Sequence, residues 1–215
     1  MAKASTIRGL RIGSLKAIEP ILEKWQMLNE ESLWFSNEEA PWWYNERATL
    51  SIFAGAVWLC GGWVFEEFST RKAVSSNRGK ADYKTGRCDI QFGIGHTEFV
   101  AEAKQCWPIL SGDIRTVRKV VETQIELSRQ EAMQNSEWGY RCLGIVFVAP
   151  RVHKSNQARI DEYLHEFTNQ LLALRKNTVA WTFPRQARLL RPSNESSNRD
   201  YIFPGVAMVM SLVKA

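Results

Sequence analysis

The stretch GRCDIQFGIGHTEFVAEAKQ, Gly86 to Gln105, constrains this chain more than any other. Two strand-like runs flank Gly95-His96, and a glycine at the first position of a two-residue loop suits a type II′ hairpin turn. That turn pairs Ile94 with Thr97 and, counting outward, sets Asp89 opposite Glu102. Facing residues of an antiparallel pair have Cβ atoms about 4.5–5.5 Å apart. Lys104, two residues past Glu102, projects from the same face. The other face carries Cys88, Ile90, Phe92, Phe99, Ala101 and Ala103, an apolar floor. Two adjacent carboxylates repel, which raises one pKa unless a cation sits between them. A hard divalent ion such as Mg²⁺ is the natural partner for an all-oxygen site. The competing reading is a solvated face with a cross-strand ion pair, but EFVAEAK is too apolar for free exposure.

The flanking segments supply the rest of an α/β domain, one mixed central sheet flanked by helices. Ser14 is a candidate cap for a helix with Leu15, Ile18, Leu22 and Trp25 on one side, which Pro20 would kink. An aromatic-rich connector, LWFSNEEAPWWYN, reads as an irregular loop. Its Trp34, Phe35, Trp42, Trp43 and Tyr44 offer faces for stacking on bases, although closing a core is the commoner use of such a cluster. Asn45 caps a helix that Gly61-Gly62 stops. WVFEEFSTRKA is a strand, followed by the polar loop SSNRGKADYKTG. After the hairpin come a long helix from Ser111 to Gln134 and the apolar run YRCLGIVFVAP, a strand covered on both faces. A further helix and two short strands close the chain. Residues 1–44 read as a helical, aromatic-rich N-terminal extension, and residues 45–150 as an α-β-β-β-α-β core within a single domain over 1–215.

The pattern Asp89-(x12)-Glu102-Ala103-Lys104, set in that order of elements, resembles the PD-(D/E)XK nuclease superfamily, whose fold is restriction-endonuclease-like. The resemblance covers about the middle half of the chain. It implies that Asp89 and Glu102 hold Mg²⁺ or Mn²⁺ and that Lys104 orients or helps to deprotonate the attacking water. Many members place a glutamate on the first core helix, and Glu46, on the stripe of Leu50, Phe53 and Val57, matches that position. The chain departs from the family in having Cys88 where a proline is usual before the aspartate. It also departs from the RecB-related Gln-x-x-x-Tyr motif, since Gln124 is followed at the fourth position by Ser128. The expected activity is metal-dependent hydrolysis of nucleic acid, DNA in the first instance. Arg78, Lys80, Lys84, Arg87 and Gln124 are the candidate backbone contacts. Double-strand cutters often pair two such sites, so a homodimer is one expected assembly. The alternative is a nuclease-fold module with an inactive site that binds nucleic acid or a partner protein.

Composition excludes other classes rather than selecting this one. Hydrophobic residues at 45% and charged residues at 24% are globular values. The balance of 28 basic to 23 acidic residues leaves +5, a mild lean toward polyanions. The four cysteines include no CxxC pair, which removes a zinc ribbon and favours a reducing compartment. Neither a secretory signal nor a bilayer-spanning run is legible, so a cytoplasmic, membrane-free protein is expected. His153 and His165 have no nucleophile beside them in sequence, which gives serine or cysteine hydrolysis little support.

Overall fold

The computed structural model describes residues 6–35, 39–74, 82–135, 140–190 and 200–213. In chain order, strand β1 (Ile7–Arg11) precedes helices α1 (Glu19–Phe35), α2 (Pro41–Tyr44) and α3 (Glu46–Leu59). Strands β2 (Trp63–Val74), β3 (Asp82–Ile94) and β4 (Thr97–Cys106) lead into helix α4 (Ile114–Met133) and strand β5 (Arg141–Val148). Then follow β6 (Val152–His153), α5 (Ile160–Ala173), β7 (Thr178–Phe183), β8 (Tyr201–Ile202) and β9 (Val206–Leu212). Seven strands form one mixed sheet in the order β1-β7-β9-β5-β4-β3-β2, while β6 and β8 pair separately. Only β4 and β5 are parallel neighbours in the large sheet, and α4 makes the crossover between them.

Each face of the sheet has its own apolar layer. Ile90, Phe92, Phe99, Ala101, Ile145 and Phe147 pack with Trp25 of α1, Trp42 of α2 and Phe53 of α3. Val146, Val148, Val179 and Val209 pack with Val121 of α4 and Phe167 of α5. Successive β5 residues therefore serve opposite layers, which is why that strand is apolar throughout. The Phe92 ring stacks on Phe99 at 5.0 Å and meets Phe53 edge-on at 5.2 Å, fixing α3 over the hairpin.

The local signals behave as their chemistry requires. The Asn45 side chain accepts from Ala48 N at 3.0 Å and starts α3, and Gly61, at φ +76°, ends it. Three expectations change. Pro20 does not kink α1 but lies in its first turn, where a missing N–H costs nothing, and Ser14 precedes the Lys16–Ile18 turn without capping the helix. The connector before α3 is not wholly irregular, because Pro41–Tyr44 is helical with Trp42 and Trp43 buried. Residues before 45 are more than an extension: β1 is an edge strand of the sheet, antiparallel to β7, and Trp25 is fully buried. Of the helices in the described residues, none is long and apolar enough to cross a membrane.

Helix α4 packs tightly on the sheet at Gly144. A Cβ there would lie 2.6 Å from Ser128 Oγ and 2.9 Å from the Arg129 backbone nitrogen, so the helix sits where a side chain would go. At Gly55, inside α3, an added Cβ meets only Leu28 Cδ1, at 3.7 Å. Chemical denaturation is expected to show Gly144→Val losing about 1–3 kcal/mol. Gly55→Ala is expected to gain about 0.5–1 kcal/mol.

Candidate functional site

The hairpin keeps the register that its turn dictates from Ile94–Thr97 to Ile90–Ala101, but the expected Asp89–Glu102 pair lies beyond the end of the ladder. Ile94 pairs with Thr97 and Ile90 with Ala101, and only the first turn residue, Gly95, has positive φ, +57°. Pairing between β3 and β4 ends at Ile90, whereas β3 continues with β2 as far as Asp82. The two strands therefore part at Asp89. Beyond this point β4 keeps its ladder with β5 on one side only. The Ala103 N–H donates instead to Asp89 Oδ2 at 2.7 Å, so a carboxylate replaces the strand carbonyl that has moved away. This bond fixes Asp89 between Glu102 and Lys104.

Across β2 the same point is strained. Glu66 pairs with Ile90 and Phe68 with Cys88, but Glu67 between them has φ +51°. It is the one non-glycine residue with positive φ among the described residues. A left-handed residue with a Cβ costs about 1–2 kcal/mol. Two cations hold it there: Arg47 of α3, and Arg87 of β3 at 2.6 Å.

Glu46 opens α3 on the same side of the gap and is half-buried. Its carboxyl forms no hydrogen bond or ion pair with the described residues. Burial first, and then the charge of Asp89, push its pKa up to about 7. Lys104 pulls it the other way, while Glu131 and Glu102 add to the rise. The Lys104 ammonium donates to Glu131 Oε2 at 2.6 Å and to the Ala103 carbonyl at 3.0 Å. Burial disfavours that charge, but Glu131, Glu46 and Asp89 outweigh it and raise the Lys104 pKa.

Glu102 is held differently. Its Oε1 accepts from Lys72 Nζ and from Asn135 Nδ2, both at 2.7 Å, and its side chain is only 2% exposed. Burial raises its pKa, Lys72 opposes the rise, and Asp89 adds to it. Lys72 reaches Glu102 because position 86 is glycine: a Cβ there would be 2.9 Å from Lys72 Cδ. The hairpin thus delivers both acids to one neighbourhood, but Glu102 faces a lysine from the β2–β3 ribbon.

Hard-cation chemistry suits the donors, since every carboxylate here is an oxygen ligand. The nearby Cys88 thiol is pushed up to about 12, chiefly by burial, and stays protonated. Glu46 and Asp89 carry more negative charge than Lys104 neutralises, and a divalent ion would relieve that excess. In the present rotamers no three His, Cys, Asp or Glu side chains of the described residues converge on one point. Glu102 is turned to Lys72 and Asn135, and Asp89 to the Ala103 N–H.

The candidate nucleic-acid contacts disperse. Arg87 is exposed but ion-paired to Glu67. Lys84 is exposed opposite Lys72 on the ribbon. Gln124 lies about two helical turns before Glu131, roughly 10 Å along the axis, and bonds to none of the acids. Arg78 and Lys80 fall outside the described residues. Lys72 reads in the sequence only as one charge of the basic run from Arg71 to Arg87 that flanks the site, and two further participants, Glu131 and Asn135, were not picked out. Asn135 had a signal, because the apolar stripe of α4, Val117, Val121 and Ile125, turns polar at Ser128 and runs on past the helix end to a buried Asn135. Polar groups on a buried stripe ask for a polar partner.

Comparison with protein-family models, curated proteins and solved structures finds no match for this chain.

Two predictions follow from the charges. Removing Lys72 leaves Glu102 buried and unpaired, so Lys72→Met is expected to cost about 3 kcal/mol near pH 8. The loss should shrink at low pH as Glu102 takes up a proton, which denaturation at a series of pH values would show. Glu46 has a folded pKa of about 7, above its ordinary 4.5. The wild type therefore bears the cost of ionising it as pH rises through that interval, and none below it. Glu46→Gln should match the wild type below pH 4.5, gain on it up to pH 7, and keep that gain above.

Proposed function

We propose that this chain is a metal-dependent nuclease of the PD-(D/E)XK type, hydrolysing phosphodiester bonds of nucleic acid, with DNA as the expected substrate. The observation that carries the reading is the Ala103 N–H bond to Asp89, which seats the aspartate inside the Glu102-Ala103-Lys104 segment. The succession α3-β2-β3-β4-α4-β5 is the order of elements that a restriction-endonuclease-like core uses, and Glu46 enters from its first helix.

Asp89 and Glu102 would hold Mg²⁺ or Mn²⁺, with Glu46 adjoining. Bound there, such an ion supplies Lewis-acid polarisation of the phosphate and acidifies a water. The chain's own groups do the rest. Lys104 carries its charge at working pH and lies beside Asp89, where it orients the attacking water and meets charge that develops on the phosphate. Glu46, which opens α3 beside Asp89, would adjoin the ion or accept a proton from that water. Glu131 positions Lys104 through their 2.6 Å bond.

A second reading keeps the fold and drops the catalysis, and one observation favours it. Glu102 is neutralised internally by Lys72, as a vestigial site would be. Mn²⁺ calorimetry separates the two, since a vestigial site gives no binding heat that Asp89→Asn abolishes. On the nuclease reading, purified protein cuts DNA with Mn²⁺ or Mg²⁺ and not in EDTA. Asp89→Asn and Lys104→Ala each lower the rate by about 100-fold or more. Cleavage at the wild-type rate by either variant would sink the assignment.

A further inference from the structure

Beyond the acids, a cleft of about 350 Å³ opens between the β2–β3 ribbon, Val100 of β4 and the C-terminal end of α4. Phe68, Ser69, Thr70, Arg71, Thr85, Gln91, Asn135 and Tyr140 complete its wall. Its volume is at the small end of ligand pockets, enough for a base and its sugar. Ser69, Thr70, Thr85 and Gln91 border the space and make no side-chain hydrogen bond to the described residues, while Ser69 and Thr70, adjacent on β2, project to opposite sides of the ribbon. The Gln91 amide both donates and accepts, as reading a base edge requires, and each hydroxyl does the same. Phe68 and Tyr140 provide flat surfaces for stacking. Among the described residues the lining contains no carboxylate, and its one cation, Arg71, lies 4.7 Å over the Tyr83 ring. A base and its sugar therefore enter the recess without passing a carboxylate of its described lining. The cleft also borders the acids: Gln91 is two residues from Asp89, and Asn135 holds Glu102 at 2.7 Å.

We infer that this cleft receives an unpaired nucleobase of the strand whose backbone lies at the carboxylates. The proposal rests on the nuclease reading and narrows it to substrates with a single-stranded or extruded nucleotide, because a base inside a duplex cannot reach a recess of this kind. Asn135 then links the two sites. It walls the base cleft and fixes Glu102, so a seated base is in contact with the residue that orients a carboxylate.

The test uses the full chain in EDTA, where binding is read without cleavage. Fluorescence anisotropy compares a labelled single-stranded oligodeoxynucleotide, the same strand with abasic sites, and its duplex. The expected result is affinity for the intact strand about tenfold or more above both others. Gln91→Ala and Tyr140→Ala should each lose most of that margin and leave abasic binding unchanged; Gln91→Asn should retain part of it. A ribonucleotide version of the strand shows whether the base alone is read. Equal affinity for intact and abasic strands overturns the cleft, as does full affinity in both alanine variants. Cleavage with Mn²⁺ is scored separately: base-independent binding by a protein that still cuts removes the cleft and spares the nuclease reading. Base-dependent binding by a protein that never cuts does the reverse.

Discussion

A strand that loses its neighbour must find another acceptor for each N–H it has exposed, and in this protein the Asp89 carboxylate is that acceptor for Ala103. Much else is arranged around this bond. It lets β3 leave β4 without an orphaned donor, and so frees the β2–β3 ribbon to continue alone with a separate direction. It also keeps an acid at the mouth of the gap, where Lys104 and Glu46 come to share its field. The backbone accounting and the chemistry are one feature, because the group that repairs the ladder is also the group proposed to act on phosphate.

The ribbon in turn acts back on the sheet. Lys72 crosses the bare backbone at Gly86 and settles against Glu102, and the turn after α4 contributes Asn135 to the same oxygen. Three separate elements thus converge on one buried carboxylate. Burying a charge pair is rarely a net source of stability; what it supplies is specificity, since a wrong packing would leave an ion stranded. The strained Glu67 has a similar standing. Its left-handed backbone interrupts the β2–β3 ladder beside the point where β3 parts from β4, and its side chain ion-pairs with Arg47 and Arg87 from two elements. Strain of this kind gathers where surrounding structure over-determines a position.

What could be read from the sequence was whatever depended on neighbours along the chain. The glycine-first turn fixed the hairpin register, the Asn45 cap fixed where α3 begins, and the unbroken apolar run of β5 announced a strand covered on both faces. The positions that escaped were those set by distant elements. Lys72 looked like one more charge in a basic ribbon, and nothing nearby in sequence says that it folds back over a glycine. Glu131 is one of many polar residues on α4 that read as surface, and the polar break at Ser128 leading to Asn135, just past the helix, names no partner until the sheet beneath is known. The edge strand β1 is only five residues long, too short for its alternation to stand out. Arg87 was recognised as a charge near the site, but its commitment to Glu67 depends on a backbone distortion that no local pattern signals.

The crossing of Lys72 over Gly86 has a consequence for how such a site drifts in evolution. Any side chain at 86 crowds the lysine off its path, and any shortening of the lysine abandons Glu102 in the interior. The two positions are therefore bound to the fate of a third, and a lineage that replaces one must tolerate an unstable intermediate or change the others almost at once. Related chains should inherit this trio intact or lack it entirely, and a mixture would mark a protein in passage between the two.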